Sequence, residues 1–232
     1  MALDISRIQA LCFDLDGTLS DTDDQFVLRF ASLLRPLSFV FKSRDPKPFA
    51  RRLVMFTEAP GNYLLGLPDR LNFDQNIARF GDLLYQKGLG KHSEPFLLIH
   101  GVQEMLAELS QHYPLSVVSA RGERSALRFL DQFQLRGYFQ AIVCAQTCAH
   151  TKPYPDPIFW AARQMGAAPE NCLMIGDTTV DIRAGKAAGT QTAGVLCGFG
   201  DQAELTRAGA DQIFASPTDL LPLFRSQWDQ AA

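Results

Sequence analysis

Asp14 and Asp16, in the stretch Phe13-Asp14-Leu15-Asp16-Gly17-Thr18, place two carboxylates two residues apart directly after the apolar run Ile8 to Phe13. On a continuing strand they would project from the same face. Gly17 permits a sharp turn that would bring both into one pocket. At ~4 Å and an effective dielectric of ~20, two such charges cost each other on the order of 4 kcal/mol. A chain that keeps them together must offset that charge. Two further acids stand in Ile175-Gly176-Asp177-Thr178-Thr179-Val180-Asp181, a lysine in Thr151-Lys152-Pro153-Tyr154-Pro155, and a hydroxyl in Val117-Val118-Ser119. Carboxylates, a lysine and a hydroxyl are the groups that nucleophilic attack, proton transfer and the binding of anionic oxygens require.

Five short apolar runs read as the strands that position these groups: Ile8 to Phe13, Leu115 to Val118, Ala141 to Val143, Cys172 to Ile175 and Thr192 to Leu196. Helical spacing lies between them, as in Val102, Met105, Leu106 and Leu109, and in Ile158, Phe159, Ala162 and Met165. For the second of these helices Asp156 is the expected cap, Pro157 the first position and Gly166 the end. Alternating strands and helices imply a parallel sheet covered on both faces. The four polar stretches then lie at the carboxyl ends of the strands, where such sheets bind ligands.

One interval breaks the rhythm: about 90 residues separate the first two strands, where a crossover needs about a dozen. Residues 22–95 hold helical patterns interrupted by Pro46, Pro48, Pro60 and Pro68, and read as an inserted helical domain. The core is then 1–21 and 96–232. The insertion carries 11 Lys and Arg against 8 Asp and Glu, so it is basic in a chain of net charge -3. The cluster Lys42, Arg44, Lys47, Arg51 and Arg52 is read first as a solvated helix face and second as a steering patch for an anionic ligand.

These residues carry a resemblance. DxDGTLxDT at Asp14 to Thr22 and GDxxxDIxAGxxAG at Gly176 to Gly189, with the later GVLCGFG and AGAD, resemble the haloacid dehalogenase superfamily on its phosphatase side, close to the phosphoglycolate phosphatases. The resemblance covers essentially the whole chain. It implies an α/β fold with a Rossmann-like parallel sheet of strand order 3-2-1-4-5 and the insertion as a helical cap. It implies hydrolysis of a small phosphate monoester through an aspartyl-phosphate on Asp14. Asp16 would give a proton to the leaving alcohol and later take one from water. Ser119, Ala120 and Lys152 would hold the phosphoryl oxygens. Four acids and a dianionic ester exceed what Lys152 can balance, so a divalent cation is expected, and oxygen-only ligands suit Mg2+. Asp14 and Asp177 would bind it through side-chain oxygens and Asp16 through its carbonyl, with Asp181 behind them or acting through water. The sequence departs from its relatives at Ser119-Ala120-Arg121, where they commonly place Asn or Gly after the hydroxyl residue.

Other function classes fit less well. A calcium loop counted from Asp14 wants Gly and Glu where Leu19 and Gln25 stand. Cys144, Cys148 and His150 lack the fourth ligand of a zinc site. Asp16 argues against dehalogenases and phosphonate hydrolases, which lack that acid. A sugar-phosphate mutase of the beta-phosphoglucomutase kind keeps the same motifs and stays open as the alternative, with a non-catalytic phosphate-binding module behind it. The mildly acidic balance gives no reason to expect nucleic acid. No apolar run reaches 18 residues and no leader is evident, so neither a membrane nor secretion is expected. Five cysteines, odd in number and mostly in apolar runs, fit a reducing, cytoplasmic setting. The expected ligand is a small phosphate ester, with Arg44, Arg51, Tyr63 and His92 as candidate contacts from the cap and hinges near Thr22 and Pro95.

Overall fold

A computed structural model describes residues 3–21 and 96–231. The expected cap, with Arg44, Arg51, Tyr63, His92 and the hinges at Thr22 and Pro95, lies outside the described residues. Six strands form one parallel sheet: β1 (Ala10–Phe13), β2 (Leu115–Val118), β3 (Phe139–Val143), β4 (Cys172–Gly176), β5 (Gln191–Val195) and β6 (Gln212–Phe214). Their order is β3-β2-β1-β4-β5-β6. This is the expected order with one strand added at the edge. β6 is only three residues long and half-buried, so no apolar run announced it.

Helices connect the strands: α1 (Val102–Leu109), α2 (Glu123–Gln132), α3 (Asp156–Met165), α4 (Thr179–Ala188), α5 (Gln202–Ala208) and α6 (Leu221–Ala231). Strand alternation sorts the core into two faces. Leu11, Phe13, Leu115, Val117, Leu173 and Ile175 pack with Met105, Leu106 and Leu109 of α1, Phe129 of α2 and Phe224 of α6. Ala10, Cys12, Val118, Cys172 and Met174 pack on the other side with Ile158, Ala161 and Met165 of α3 and Ala184 of α4. The central strands are buried at every position, which is why they read as continuous apolar runs.

Register does the positioning. Phe13 lies opposite Val117 on one side and Ile175 on the other. Asp14, Ser119 and Asp177 therefore leave the sheet at the same edge, within one or two residues of that common level.

Two local expectations need correction. α3 begins at Asp156 with Pro155 as its cap residue, so Asp156 is not the cap; its carboxylate faces His150 Nδ1 at 3.2 Å instead. Gly166 ends α3 in the left-handed conformation as expected. β1 also starts two residues late, because Ile5–Arg7 form a 3-10 turn before it. None of the five cysteines forms a disulfide. No described helix is long and apolar enough to cross a membrane.

Candidate active site

Asp14 follows the last residue of β1, and its N–H donates to the Ile175 carbonyl at 2.8 Å, which holds it level with the end of β4. Its carboxylate is buried. Lys152, also buried, donates from Nζ to Asp14 Oδ1 at 2.5 Å and to Asp181 Oδ1 at 2.6 Å. Burial is the main influence on Asp14 and pushes it up to about 7; Lys152 opposes this, while Asp181 and Asp16 add to it. Burial pulls Lys152 down, but the Asp14 and Asp181 carboxylates more than offset that and leave it above its ordinary range.

Asp181 is held from below. Its Oδ2 accepts from the Thr178 N–H at 2.9 Å and from the Thr178 hydroxyl at 2.6 Å. Thr178 is the cap residue of α4 and Asp181 its third position, so the capping box that starts the helix also aims the free oxygen at Lys152.

Asp177 is fully buried at the end of β4. Its Oδ2 accepts from the Phe199 N–H at 2.8 Å, and the Thr18 hydroxyl lies 3.4 Å from Oδ1. Gly198 packs directly on this carboxylate, with no room for a side chain between them. Gly198 is thus part of the wall of the acidic site.

Asp14, Asp177 and Asp181 each offer an oxygen within 4.8 Å of the others, forming a group able to hold a metal ion. The donor set fits Mg2+: all oxygen, buried, and more negative than its surroundings can offset. Lys152 supplies one positive charge against these three carboxylates.

Asp16 lies close enough for its charge to act on Asp14 but is less buried. Gly17, at φ +73°, turns the chain, and the Asp16 side chain stays about a third exposed. Arg121 meets it with two donors: Nε to Oδ2 at 2.6 Å and an Nη to Oδ1. The two motif carboxylates thus take different cations. Ser119 stands buried just past β2, its N–H donating to the Val143 carbonyl at 2.9 Å and its Oγ accepting from the Arg121 N–H at 3.1 Å. Ala120 is exposed beside it. Arg121 had been noted only as a departure from the usual pattern. Its proximity to Asp16 links residues 105 apart, which no local signal reveals.

Residues 11–195 match the family model described as haloacid dehalogenase-like hydrolase. The chain belongs to that family. This hydrolase is 30% identical over 219 residues to a phosphoglycolate phosphatase of Aquifex aeolicus, covering 93% of its own length and 96% of the relative's. It is equally 30% identical, over 220 residues, to the pyrophosphatase PpaX of Bacillus velezensis, with 93% and 95% covered. A crystal structure of a hydrolase from Pseudomonas syringae aligns with a TM-score of 0.64 at 24% identity, covering 94% of this chain and 98% of that one, and shows the same fold. The family and the aspartate cluster together make the chain a haloacid dehalogenase-type phosphatase, with an aspartate nucleophile acting on a phosphoester.

Proposed function

We propose that the hydrolase cleaves a small-metabolite phosphate monoester with Mg2+, through an aspartyl-phosphate on Asp14, with phosphoglycolate the first substrate to test. The observation that carries this is the buried group of Asp14, Lys152 and Asp181 beside Asp177, at the carboxyl ends of the two central strands. Asp14 and Asp177 would hold the cation through carboxylate oxygens and Asp16 through its carbonyl, with Asp181 close behind; when bound, it offsets the charge of the phosphoryl group.

Asp14 attacks phosphorus with a carboxylate oxygen, and the bond from phosphorus to the alcohol oxygen breaks. Asp16 gives its proton to that oxygen. Water then attacks phosphorus, Asp16 takes its proton, and the bond to Asp14 breaks to release phosphate. Lys152, fixed by two ion pairs and buried away from water, stabilises the phosphoryl oxygens as their charge shifts in this reading. Ser119 and the backbone at Ala120 complete the hold on those oxygens from the end of β2.

The two curated relatives carry names for different substrates at equal identity, and both substrates bear a negative charge beyond the phosphoryl group that is transferred. A panel of metabolite monoesters plus pyrophosphate, assayed for phosphate release with Mg2+ and with EDTA, tests the reading. Mg2+-dependent release from at least one monoester, lost in Asp14→Asn, is the expected result. Conversion of beta-glucose 1-phosphate to glucose 6-phosphate without net phosphate release would replace it with the mutase reading.

A further inference from the structure

We propose that Arg121 is a positioning residue for the proton-transfer carboxylate, fixing Asp16 on the leaving-group side of the site. This rests on Asp16 acting as the acid and base of the reaction proposed above.

The guanidinium is itself held before it meets Asp16. It lies over the Phe96 ring, 5.0 Å from the centroid, and over the Phe129 ring at 5.8 Å. Those rings meet edge to face, with centroids 5.7 Å apart and planes at 87°. Phe129 is fully buried in α2. Phe96 is tied to the same helix at both ends: its N–H donates to Gln132 Oε1 at 3.3 Å, and its carbonyl accepts from Gln132 Nε2 at 2.9 Å. The Arg121 backbone is fixed as well, its N–H on Ser119 Oγ and its carbonyl accepting from the Ala145 N–H at 2.9 Å. The side chain is only 13% exposed.

A planar guanidinium held on two aromatic rings and on its own backbone has little freedom left. Two parallel N–H donors then set both place and plane of the carboxylate they bind. Asp16 stands just before the turn at Gly17 and is the least buried carboxylate of the site, and the clamp narrows the rotamers it can take. A proton passes when the guanidinium retains one Asp16 oxygen and yields the other. Arg121 thus acts through Asp16. Lysine, a single point donor, cannot reproduce a two-point hold.

The test compares Arg121→Gln, Arg121→Lys and Asp16→Asn, each with Mg2+ and each checked for folding by circular dichroism and thermal unfolding. Two substrates are used: an alkyl phosphate turned over by the wild-type protein, and p-nitrophenyl phosphate, whose leaving group departs without needing a proton. For both Arg121 variants kcat on the alkyl ester should fall about 10- to 100-fold, as small misplacements of a reacting group do. KM for the alkyl ester should stay within about threefold, and the pre-steady-state burst of p-nitrophenolate, which needs no acid, should keep its rate even though steady-state turnover of both esters shares the step in which Asp16 takes water's proton. Guanidinium ion at non-denaturing concentration should restore part of the alkyl rate in Arg121→Gln. A p-nitrophenolate burst slowed as much as alkyl turnover, a change confined to KM, or an unchanged alkyl rate would each overturn the proposal. If Asp16→Asn shows the leaving-group dependence and the Arg121 variants do not, the positioning role alone fails. If Asp16→Asn shows none, the acid-base reading fails and takes this proposal with it. Arg121→Lys keeps the question answerable should Arg121→Gln not fold.

Discussion

At the scale of residues, the site spreads its crowded acids over several partners. Asp14 and Asp181 share Lys152, Asp16 meets Arg121, and Asp177 accepts from the Phe199 N–H. What is left over is negative charge in a buried place, and it has a measurable signature. Asp14 is pushed from its ordinary range up to about 7, chiefly by burial. A carboxyl raised on folding lends stability that is present at low pH and is lost as pH rises through the folded value. In EDTA, stability measured by urea unfolding should therefore fall as pH climbs from about 4 through about 7. With Mg2+, which favours the ionised carboxylate, that decline should flatten. The same slope with and without the cation would contradict a metal role for Asp14. Gly198 gives a second check, because a methyl group there would run into the Asp177 carboxylate. Gly198→Ala should displace that carboxylate and raise the Mg2+ concentration for half-maximal activity about 10- to 100-fold, the range typical of groups that orient metal ligands. An unchanged Mg2+ requirement would remove Asp177 from the metal's ligands.

At the scale of elements, parallel pairing brings the site together, and its outer strands depend on side-chain ties that the apolar pattern does not show. Asp211, just before β6, accepts from the Thr192 N–H and hydroxyl in β5, both at 2.9 Å, and from Lys186 of α4 at 2.6 Å. Burial works to raise this carboxyl, but the Lys186 and Thr192 hydrogen bonds prevail and hold it below the usual carboxylate range. Its stabilisation is thus present above the ordinary carboxylate value and is lost as pH falls through the depressed folded value. Asp211→Asn should lower stability near neutral pH by about 1.5–3 kcal/mol. The gap from the wild-type protein should close as pH falls through the depressed folded value. A gap that persists unchanged in acid would show that the loss is not electrostatic. The central strands were legible because both of their faces are buried. β6 was not, since a half-buried edge strand of three residues carries no run. Asp156 was misplaced by one position because a helix start depends on backbone geometry around Pro155 that residue types alone leave open.

At the scale of the whole molecule, the sheet order followed from the family resemblance, and the gathering of Asp14, Lys152, Asp177 and Asp181 from motif position at strand ends. That inference works because a parallel sheet sends every carboxyl end to one edge. Arg121 escaped it, because pairing across 105 residues depends on where a loop and a turn happen to face. So did the Phe199 N–H and the close approach of Gly198, since backbone donors leave no mark in residue type. The most direct measurement of the central claim is a rapid acid quench during turnover of a monoester with Mg2+, followed by mass spectrometry of the peptide containing Asp14. A phosphoryl group on Asp14, forming and decaying fast enough to account for turnover and absent in Asp14→Asn, is the predicted result. Full turnover in Asp14→Asn, or a phosphoryl group found on another residue, would contradict it.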